Sequence, residues 1–484
     1  MEAIIFINRI LSVCSPKLRL LCSLRSLRND LGTKSGCHKN LTSDQGCRWP
    51  LKKSGEEAWG IHRSVCERSK GCRGCLQSGW KISHSNPLLE VDRKYRRSRN
   101  LPQSMAVLDG EEWSRVRKAL ASKMLRPKDI RDNLEKFNGV TKDAIEHMVS
   151  VRGADDEIPN LEEELAKWAT ESVGTMAFDL RVGLYDDPPN NETVRMVKAT
   201  QDSFALLGKI NRGWEGFLVP YVTTPTYIKY CKIQDIALEI GQSIIDRKFV
   251  EIKKMADDGE GFSQDQAVSL LTYLITKGEL TRQEINVQSI GMFKAGVETT
   301  ATGLLWLLYD LARNPREQEN VYEEVTSLIG PHGDFTPESF AKLHYVKACV
   351  KESLRMHPGS FRWLRVLTQD VVLSGYHVPS GTAVMYSNYL AGISEELFKF
   401  PLEFRPERWL NEDLGKIHPF ATLPFGVGPR MCIGRRIAEA EMYLLATKLV
   451  QRFVLEYHEE PVEPTFRLMT VPDRPIRIKF IDRA

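Results

Sequence analysis

The sequence predicts a mainly α-helical fold with small β-sheets, in which residues 86–484 form one domain. Helical spacing of apolar residues starts near residue 111, continues through about residue 255 and returns in the last third of the chain. Two stretches alternate as strands do: residues 371–384 are predicted to form a hairpin, and residues 467–480 a last pair of strands. The residues with candidate chemistry are spread from Trp113 to Cys432, so a single domain must bring them together.

One loop combines a cysteine with two glycines, an arginine and an aromatic residue: Phe425, Gly428, Arg430, Cys432 and Gly434. A haem iron that activates O2 needs an electron-rich axial ligand, and a cysteine thiolate is such a ligand. A predicted helix follows Gly434, and backbone N–H groups at a helix start stabilise a thiolate. The glycines permit close approach of the backbone, while Arg430 is placed to pair with a haem propionate. The pattern indicates a haem-thiolate loop with Cys432 as the iron ligand; a core cysteine in a glycine-rich turn is the alternative.

A second constellation lies in a long predicted helix. A capping-box pattern at Thr281 and Glu284 opens a run that stays helical until Pro315, about 50 Å at the usual helix rise. Its middle, residues 295–300, reads Ala-Gly-Val-Glu-Thr-Thr, which places a glycine, an acid and two threonines in an apolar helix. Threonines can bond back to helix carbonyls, and a glycine lets the helix groove open. We predict that Glu298 and Thr299 relay protons; an ordinary buried helix is the alternative.

With these motifs, the chain from about residue 87 to residue 480 resembles the cytochrome P-450 superfamily. Within it the pattern is similar to the mitochondrial group, with the vitamin D 24-hydroxylase type and related invertebrate enzymes. The resemblance implies haem b (iron protoporphyrin IX) as cofactor and a monooxygenase that hydroxylates a lipophilic substrate, such as a sterol or secosteroid, with O2. Electrons would come from a mitochondrial, adrenodoxin-like ferredoxin and its NADPH-dependent reductase. Thr299 would then hydrogen-bond the dioxygen, with Glu298 in the proton path.

Two other classes of function stay open at this point. One is a haem-thiolate isomerase or dehydratase, which needs no external electrons. The other is a non-catalytic protein that binds haem or another ligand.

The resemblance also assigns structural residues. Glu352 and Arg355 stand three apart on a predicted helix, and Arg408 would complete the buried triad that holds the thiolate loop in this family. An exposed ion pair is the alternative for the first two residues.

Haem propionates would be held by Trp113 and Arg117, which share one helical face, and by Arg365. With Arg430 this gives three guanidinium groups for two carboxylates, whose burial without partners would be costly. The alternative is a tryptophan and an arginine on the surface.

The resemblance assigns electron delivery to a basic surface beside the helix predicted after Gly434. Lys347 and Lys351 are four residues apart on one helical face, and Arg435 and Arg436 follow Cys432 directly. This resembles the ferredoxin-docking pattern of the mitochondrial enzymes, in which complementary charge steers an acidic partner. Solvated lysines are the usual alternative.

The N-terminal region differs in composition from the rest. Residues 1–100 contain 20 of the 67 lysines and arginines but 8 of the 63 acids. Residues 1–31 are predicted to be a mitochondrial transit peptide because they are rich in arginine and serine and nearly free of acids. Residues 32–85 match no part of the family fold, so its N-terminal part is expected to be missing; Cys72 and Cys75 permit a zinc module as an alternative.

The same composition bears on localisation. No apolar run approaches the ~20 residues of a membrane-spanning helix. We therefore expect a protein on the matrix side of the inner mitochondrial membrane, associated with that membrane only peripherally. No nucleic acid is expected as a partner.

Overall fold

The computed structural model describes residues 90–178, 181–213, 215–257, 269–373, 376–410 and 417–483. All of these except residues 372, 373 and 376 belong to one compact unit. The predictions for residues 1–31 and 32–85, including Cys72 and Cys75, lie outside the described residues.

Helices dominate the described part of the chain, which confirms the predicted fold class. The α-helices are Glu90–Ser98, Gly110–Met124, Pro127–Asp132, Leu134–Val151, Leu161–Phe178, Asn191–Arg212, Glu215–Leu218, Pro225–Asp257, Leu270–Lys277, Arg282–Arg313, Pro315–Ile329, Pro337–Ala341, Tyr345–Met356, Asn388–Gly392 and Arg435–Arg452. A short 3-10 helix, Pro406–Trp409, precedes the thiolate loop.

The helix Arg282–Arg313, called the central helix below, carries the middle of the core. It begins with the predicted capping box, in which the Thr281 side chain accepts from the Glu284 N–H and the Glu284 side chain accepts from the Thr281 N–H. It ends before Pro315, whose ring cannot continue a helix. Most of its C-terminal half is buried, from Thr300 to Ala312. The central helix packs most extensively on helix Leu161–Phe178.

Gly296 shows why that contact is close. A Cβ atom at this position would lie 2.8 Å from Cγ2 of Val173, which is nearer than side chains approach one another. The missing side chain at Gly296 therefore permits this close packing of the two helices.

The strands form small antiparallel pairs. Strand β1 (Arg362–Val366) pairs with β4 (Ala383–Ser387), and β2 (Val371–Leu373) pairs with β3 (Tyr376–Val378). Strand β5 (Phe453–Glu456) pairs with β8 (Lys479–Asp482), and β6 (Pro464–Phe466) pairs with β7 (Thr470–Pro472).

The strand predictions are partly wrong. Within residues 371–384 only β2 and β3 form a hairpin, since β4 pairs back to β1. The two strands within residues 467–480 do not pair with each other. Strand β7 forms a hairpin with β6, which lies just before the predicted stretch, whereas β8 pairs with β5, which lies farther back in the chain.

The helix Arg435–Arg452, called the thiolate helix below, begins directly after the Cys432 loop, with Gly434 at its N-cap. It contacts the central helix, and the Thr300 hydroxyl lies 3.4 Å from Oε2 of Glu441. The fold thus brings the start of one helix and the middle of the other into the same core.

Candidate haem site

The Cys432 loop is a series of tight turns. The N–H of Cys432 donates to the carbonyl of Phe425 at 2.8 Å, and the N–H of Met431 donates to the carbonyl of Gly428 at 3.0 Å. Gly426 and Gly428 have φ angles of 72° and 75°, a region that favours glycine. The backbone conformation thus favours glycine at position 428, as predicted, and also at position 426.

The electrostatics around the sulfur agree with a ligand at a helix start. N–H groups of Gly434 and Arg435 donate toward the Cys432 sulfur and, together with the charge of Arg117, lower the pKa of this thiol. Burial acts in the opposite direction and is larger, so that the pKa of Cys432 is raised above its usual value. Neighbouring protein groups alone therefore do not stabilise the deprotonated form of Cys432. A metal cation at the sulfur would supply the missing positive charge.

Four arginines gather beside this loop, and we call Arg93, Arg117, Arg365 and Arg430 the arginine cluster. Arg430 is half-buried; burial and the charges of the other three arginines lower its pKa to about 10, although Asp109 raises it. Its guanidinium lies 4.4 Å from the ring centre of Trp113.

One carboxylate is shared within the arginine cluster. Asp109 accepts from Nη2 of Arg430 through Oδ1 and from Nη2 of Arg93 through Oδ2, both at 3.0 Å. Asp109 lies at the N-cap of helix Gly110–Met124 but makes no capping hydrogen bond, because its carboxylate is turned to the two guanidinium groups.

The remaining members of the cluster use backbone partners. Nη2 of Arg117 donates to the carbonyl of Met431 at 2.7 Å, next to the candidate ligand. Nη1 of Arg365 donates to the carbonyl of Leu364 at 2.8 Å. Burial lowers the pKa of both arginines, as expected for cations that water solvates poorly.

This arrangement fits a dianionic porphyrin. Four guanidinium groups converge with two carboxylates, Asp109 and, at Arg93 alone, Glu90, and Nε of Arg430 is buried without a hydrogen-bond partner among the described residues. Two propionates would supply the missing acceptors and negative charge. The sequence predicted Trp113, Arg117, Arg365 and Arg430 for this role but missed Arg93. No local pattern marks Arg93, because it reaches the cluster only through the fold.

The middle of the central helix has one open face. Ala295 and Thr299 are exposed, although Val297 and Thr300 beside them are buried. The Thr299 hydroxyl donates to the carbonyl of Ala295 at 2.7 Å, as the sequence predicted for a threonine in a helix. The exposed stretch offers space for a small molecule against an otherwise closed helix.

Glu298 adds a titratable group at this face. Its Oε1 is buried without a hydrogen-bond partner in the described part of the chain. Burial, and to a smaller extent the charge of Glu162, raise the pKa of Glu298 to about 7. Both protonation states are therefore populated near neutral pH, which suits a proton relay.

Comparison with known proteins decides the family. The family model for cytochrome P450, here written P-450, matches residues 83–480 of the chain. The chain belongs to the cytochrome P-450 family. As a member it is a haem-binding monooxygenase, and the sequence prediction of family, enzyme class and cofactor is confirmed.

Relatives at about 30% identity are of the mitochondrial type. The chain is 32% identical to 1,25-dihydroxyvitamin D(3) 24-hydroxylase, mitochondrial, from Rattus norvegicus, over 85% of this chain and 79% of the relative. It is 32% identical to cytochrome P-450 10 of Lymnaea stagnalis, over 80% and 70%. It is also 32% identical to probable cytochrome P-450 12a5, mitochondrial, of Drosophila melanogaster, over 78% and 73%.

The structure of this cytochrome P-450 brings Glu352, Arg355 and Arg408 together, and we call them the Glu-Arg-Arg cluster. Arg355 donates to Glu352 through Nη2 at 2.8 Å and through Nε at 3.0 Å, and Nε of Arg408 donates at 2.8 Å. The side chains of Glu352 and Arg355 are fully buried. The indole N–H of Trp409 also donates to Glu352, at 2.8 Å.

The predicted docking residues are less uniform. Lys351 and Arg436 are exposed. Lys347 donates to the carbonyl of Ala341 at 2.6 Å, and burial lowers its pKa. Arg435 is paired with Glu439 at 3.0 Å. Lys351 and Arg436 thus face solvent, whereas Lys347 and Arg435 are hydrogen-bonded or paired within the protein.

The sequence also missed Glu441, which links three helices. It lies in the thiolate helix, and its carboxylate accepts from the Ser172 hydroxyl at 2.5 Å and lies 3.4 Å from the Thr300 hydroxyl. Burial raises the pKa of Glu441 to about 8, so it is largely neutral at pH 7.

Proposed function

We propose that this cytochrome P-450 hydroxylates a sterol, secosteroid or similar lipophile with O2 and electrons from a mitochondrial ferredoxin. The observation that carries the proposal is the half-buried Cys432 at the start of the thiolate helix, beside an arginine cluster with a buried N–H group that has no acceptor among the described residues. A thiolate-ligated haem fits both features.

We assign a different role to each residue of the site. Cys432 would ligand the iron, and Phe425 and Gly434 would lie against the haem on the same side. Propionates would be held by Trp113 and the arginine cluster. When bound, the haem supplies the redox chemistry that activates O2.

Glu298 and Thr299 would deliver the protons that O2 activation consumes. The Thr299 hydroxyl gives its own hydrogen to Ala295, so its oxygen is left as an acceptor. A carboxyl with a pKa of about 7 can take a proton from water and release it at Oε1. Glu298 would thus move the proton, and Thr299 would hold the group that receives it.

Several observations support a mitochondrial ferredoxin as the electron donor. Two of the relatives carry "mitochondrial" in their names. Lys351 and Arg436 present exposed positive charge close to the thiolate helix, while Lys347 and Arg435 lie beside them. An acidic partner would be attracted to this surface, and the attraction would weaken as salt rises.

We propose a location on the matrix side, peripheral to the inner membrane, and the names of the same relatives support it. No helix in the described ranges is long and apolar enough to cross a bilayer. Tyr221, Val222 and Ile228 are exposed apolar side chains near helix Glu215–Leu218, and they would suit shallow contact with lipid.

Reconstitution tests the proposal. Purified haem-loaded protein is incubated with a secosteroid, O2, NADPH, a mitochondrial ferredoxin and its reductase, and hydroxylated product is measured by mass spectrometry. We expect product only when ferredoxin is present, with a rate that falls as salt rises. Replacing Lys351 and Arg436 by glutamate should lower the rate by about tenfold or more because a charge attraction becomes a repulsion.

A control replaces Lys198, an exposed lysine on another helix, by glutamate and should leave the rate unchanged. The variant Thr299→Ala should keep its haem but lose product per NADPH consumed, whereas Thr326→Ala, which removes a similar hydroxyl-to-carbonyl bond elsewhere, should not. Turnover without ferredoxin would contradict the proposal and favour isomerase or dehydratase chemistry.

A further inference from the structure

Helix Glu90–Ser98 connects the arginine cluster with a second part of the fold. At one side of the helix, Nη2 of Arg93 donates to Asp109 at 3.0 Å and to the carbonyl of Val107 at 2.8 Å. Nη1 of Arg93 pairs with Glu90 of the same helix at 3.3 Å. The Arg93 side chain is only 17% exposed, so the helix is attached here by largely buried polar contacts.

The following side chains attach the helix elsewhere. Nζ of Lys94 donates to the carbonyl of Val219 at 2.6 Å, and the Tyr95 hydroxyl donates to Asp235 at 2.9 Å. Arg99, directly after the helix, donates to the same carboxylate through Nε at 3.0 Å and through Nη2 at 2.7 Å. Two parallel bonds hold a guanidinium more firmly than a single ion pair does.

Apolar side chains reinforce this second attachment. They form a group of buried residues apart from the main core, which we call the outer cluster: Val91, Tyr95, Ile210, Val219, Tyr227, Tyr230 and Cys231. Helix Glu90–Ser98, the end of helix Asn191–Arg212 and the start of helix Pro225–Asp257 contribute to it. Such a satellite cluster can open without unfolding the main core, because separate sets of buried contacts hold the two together.

The outer cluster borders the candidate reaction face. Gln234, on helix Pro225–Asp257, accepts a hydrogen bond from Lys294 of the central helix. Lys294 directly precedes the exposed Ala295. Opening of the outer cluster would therefore change access to the face that carries Thr299.

Occupation of the arginine cluster changes how firmly Arg93 is held. Burial and the charges of neighbouring arginines, Arg93 among them, lower the pKa of Arg430, so these guanidinium groups repel one another while they share Asp109. Two haem propionates would add acceptors and negative charge and would offset this repulsion. Helix Glu90–Ser98 would then be held more firmly at Arg93.

From these contacts we infer that helix Glu90–Ser98 acts as a strap: haem bound at Arg93 stabilises the helix, and the helix, through Tyr95 and Arg99, stabilises the outer cluster at Asp235. Haem-free protein is then open beside the central helix, and haem-loaded protein is closed there. By reciprocity, a stable outer cluster also tightens the binding of haem. This inference goes beyond the proposed function, since it depends on neither the substrate nor the electron donor.

Hydrogen exchange measured by mass spectrometry on haem-free and haem-loaded protein tests the strap. We expect haem to slow amide exchange in residues 90–98 and 227–235 at least about tenfold more than in the main-core helix Leu134–Val151. Arg93→Met should reduce this excess to within about twofold in both segments. Arg97→Met is the matched control, because Arg97 is an exposed arginine of the same helix that also pairs with Glu90 but lies outside the arginine cluster. It should keep the full excess.

A second variant cuts the attachment at the other side and leaves the arginine cluster intact. In Asp235→Asn, haem should still slow exchange in residues 90–98, whereas the excess in residues 227–235 should be lost. Equilibrium competition with apomyoglobin should show haem binding weakened by about fivefold or more. Asp246→Asn is the control, since Asp246 lies on the same helix, is 42% exposed against 40% for Asp235, and is likewise paired with an arginine.

Three results would overturn the inference. The first is a wild-type protein in which haem slows exchange in residues 90–98 no more than in the main core. The second is an Arg93→Met protein that keeps the full excess. The third is unchanged haem binding in Asp235→Asn, since Tyr95 and Arg99 would then only brace two helices. Asp235→Asn keeps Arg93, so the test holds even if Arg93→Met fails to fold.

The strap and the proposed reaction can fail independently. Hydrogen exchange and haem competition need no turnover. If both behave as expected but reconstitution yields no hydroxylated product, the strap stands and the proposed function fails.

Discussion

Two buried arginine groups in this cytochrome P-450 are built in opposite ways. In the Glu-Arg-Arg cluster, Glu352 accepts from Arg355, Arg408, Trp409 and the N–H of Arg405. All five N–H groups of Arg355 are used, since its other donors reach the carbonyls of Gly392, Pro401 and Glu403. This group is complete within the protein.

In the arginine cluster, by contrast, a buried N–H donor has no acceptor in the described part of the chain. Four guanidinium groups share Asp109, Glu90 and a few backbone carbonyls, and Nε of Arg430 has no hydrogen-bond partner among the described residues. The comparison teaches how a structural cluster differs from a binding cluster. The first is saturated by its own acceptors, whereas the second leaves a buried donor unpaired within the described ranges, as we expect of a cluster that binds a ligand.

The largest expected effect is at Glu352. Glu352→Ala leaves two buried guanidinium groups without their counter-charge, which should cost about 3–5 kcal/mol of unfolding free energy. Urea unfolding should show this loss with and without haem. The matched change Glu403→Ala, at an exposed acid in the same region, should cost less than about 0.5 kcal/mol. A loss limited to the haem-bound form would contradict the distinction between the two clusters.

A smaller and different effect is expected at Arg365. Arg365→Met removes a charge-assisted hydrogen bond of about 1.5–3 kcal/mol to a propionate, so haem should transfer to excess apomyoglobin at least about tenfold faster. The haem-free protein should keep its stability within about 1 kcal/mol, because one of several like charges is removed. Arg195→Met, at an exposed helical arginine, is the control. Unfolding of the haem-free Arg365→Met protein would show that this residue is structural.

Glu441 is the reverse case, a buried carboxyl that contacts the hydroxyls of Ser172 and Thr300. Its pKa of about 8 lies above the ordinary 4.5, so the folded protein binds the proton more tightly than the unfolded chain. This contribution to stability is complete below about pH 4.5 and is lost as the pH rises through about 8. Glu441→Gln should therefore flatten the decline of unfolding free energy between these pH values. Glu323→Gln, at an exposed position, should follow the wild-type curve; a parallel curve for Glu441→Gln would refute the assignment.

Local signals explain what the sequence could predict. The capping box at Thr281 and the proline at 315 determine the central helix, and both act within a few residues. The spacing of Phe425, Gly428, Arg430 and Cys432 describes one continuous loop, so family resemblance identified it directly. Glu352 and Arg355 are neighbours on one helix, which left Arg408 as the one distant member.

Features that depend on distant parts of the chain were not predictable. Arg93 and Asp109 meet Arg430 across more than 300 residues, and their roles depend on where the fold places that loop. Strand β8 takes a partner, β5, that no local alternation specifies. Lys294 looks like an ordinary helical lysine until the fold sets it against Gln234.

The most direct test of the central claim is the absorption spectrum of the reduced protein with carbon monoxide. The wild-type protein should show the red-shifted Soret band of a thiolate-ligated haem. Cys432→Ser should lose that band because no thiolate remains at the iron. A Cys432→Ser protein that retains the thiolate-type band would show that the iron is held by another sulfur, and the account of the site would be wrong.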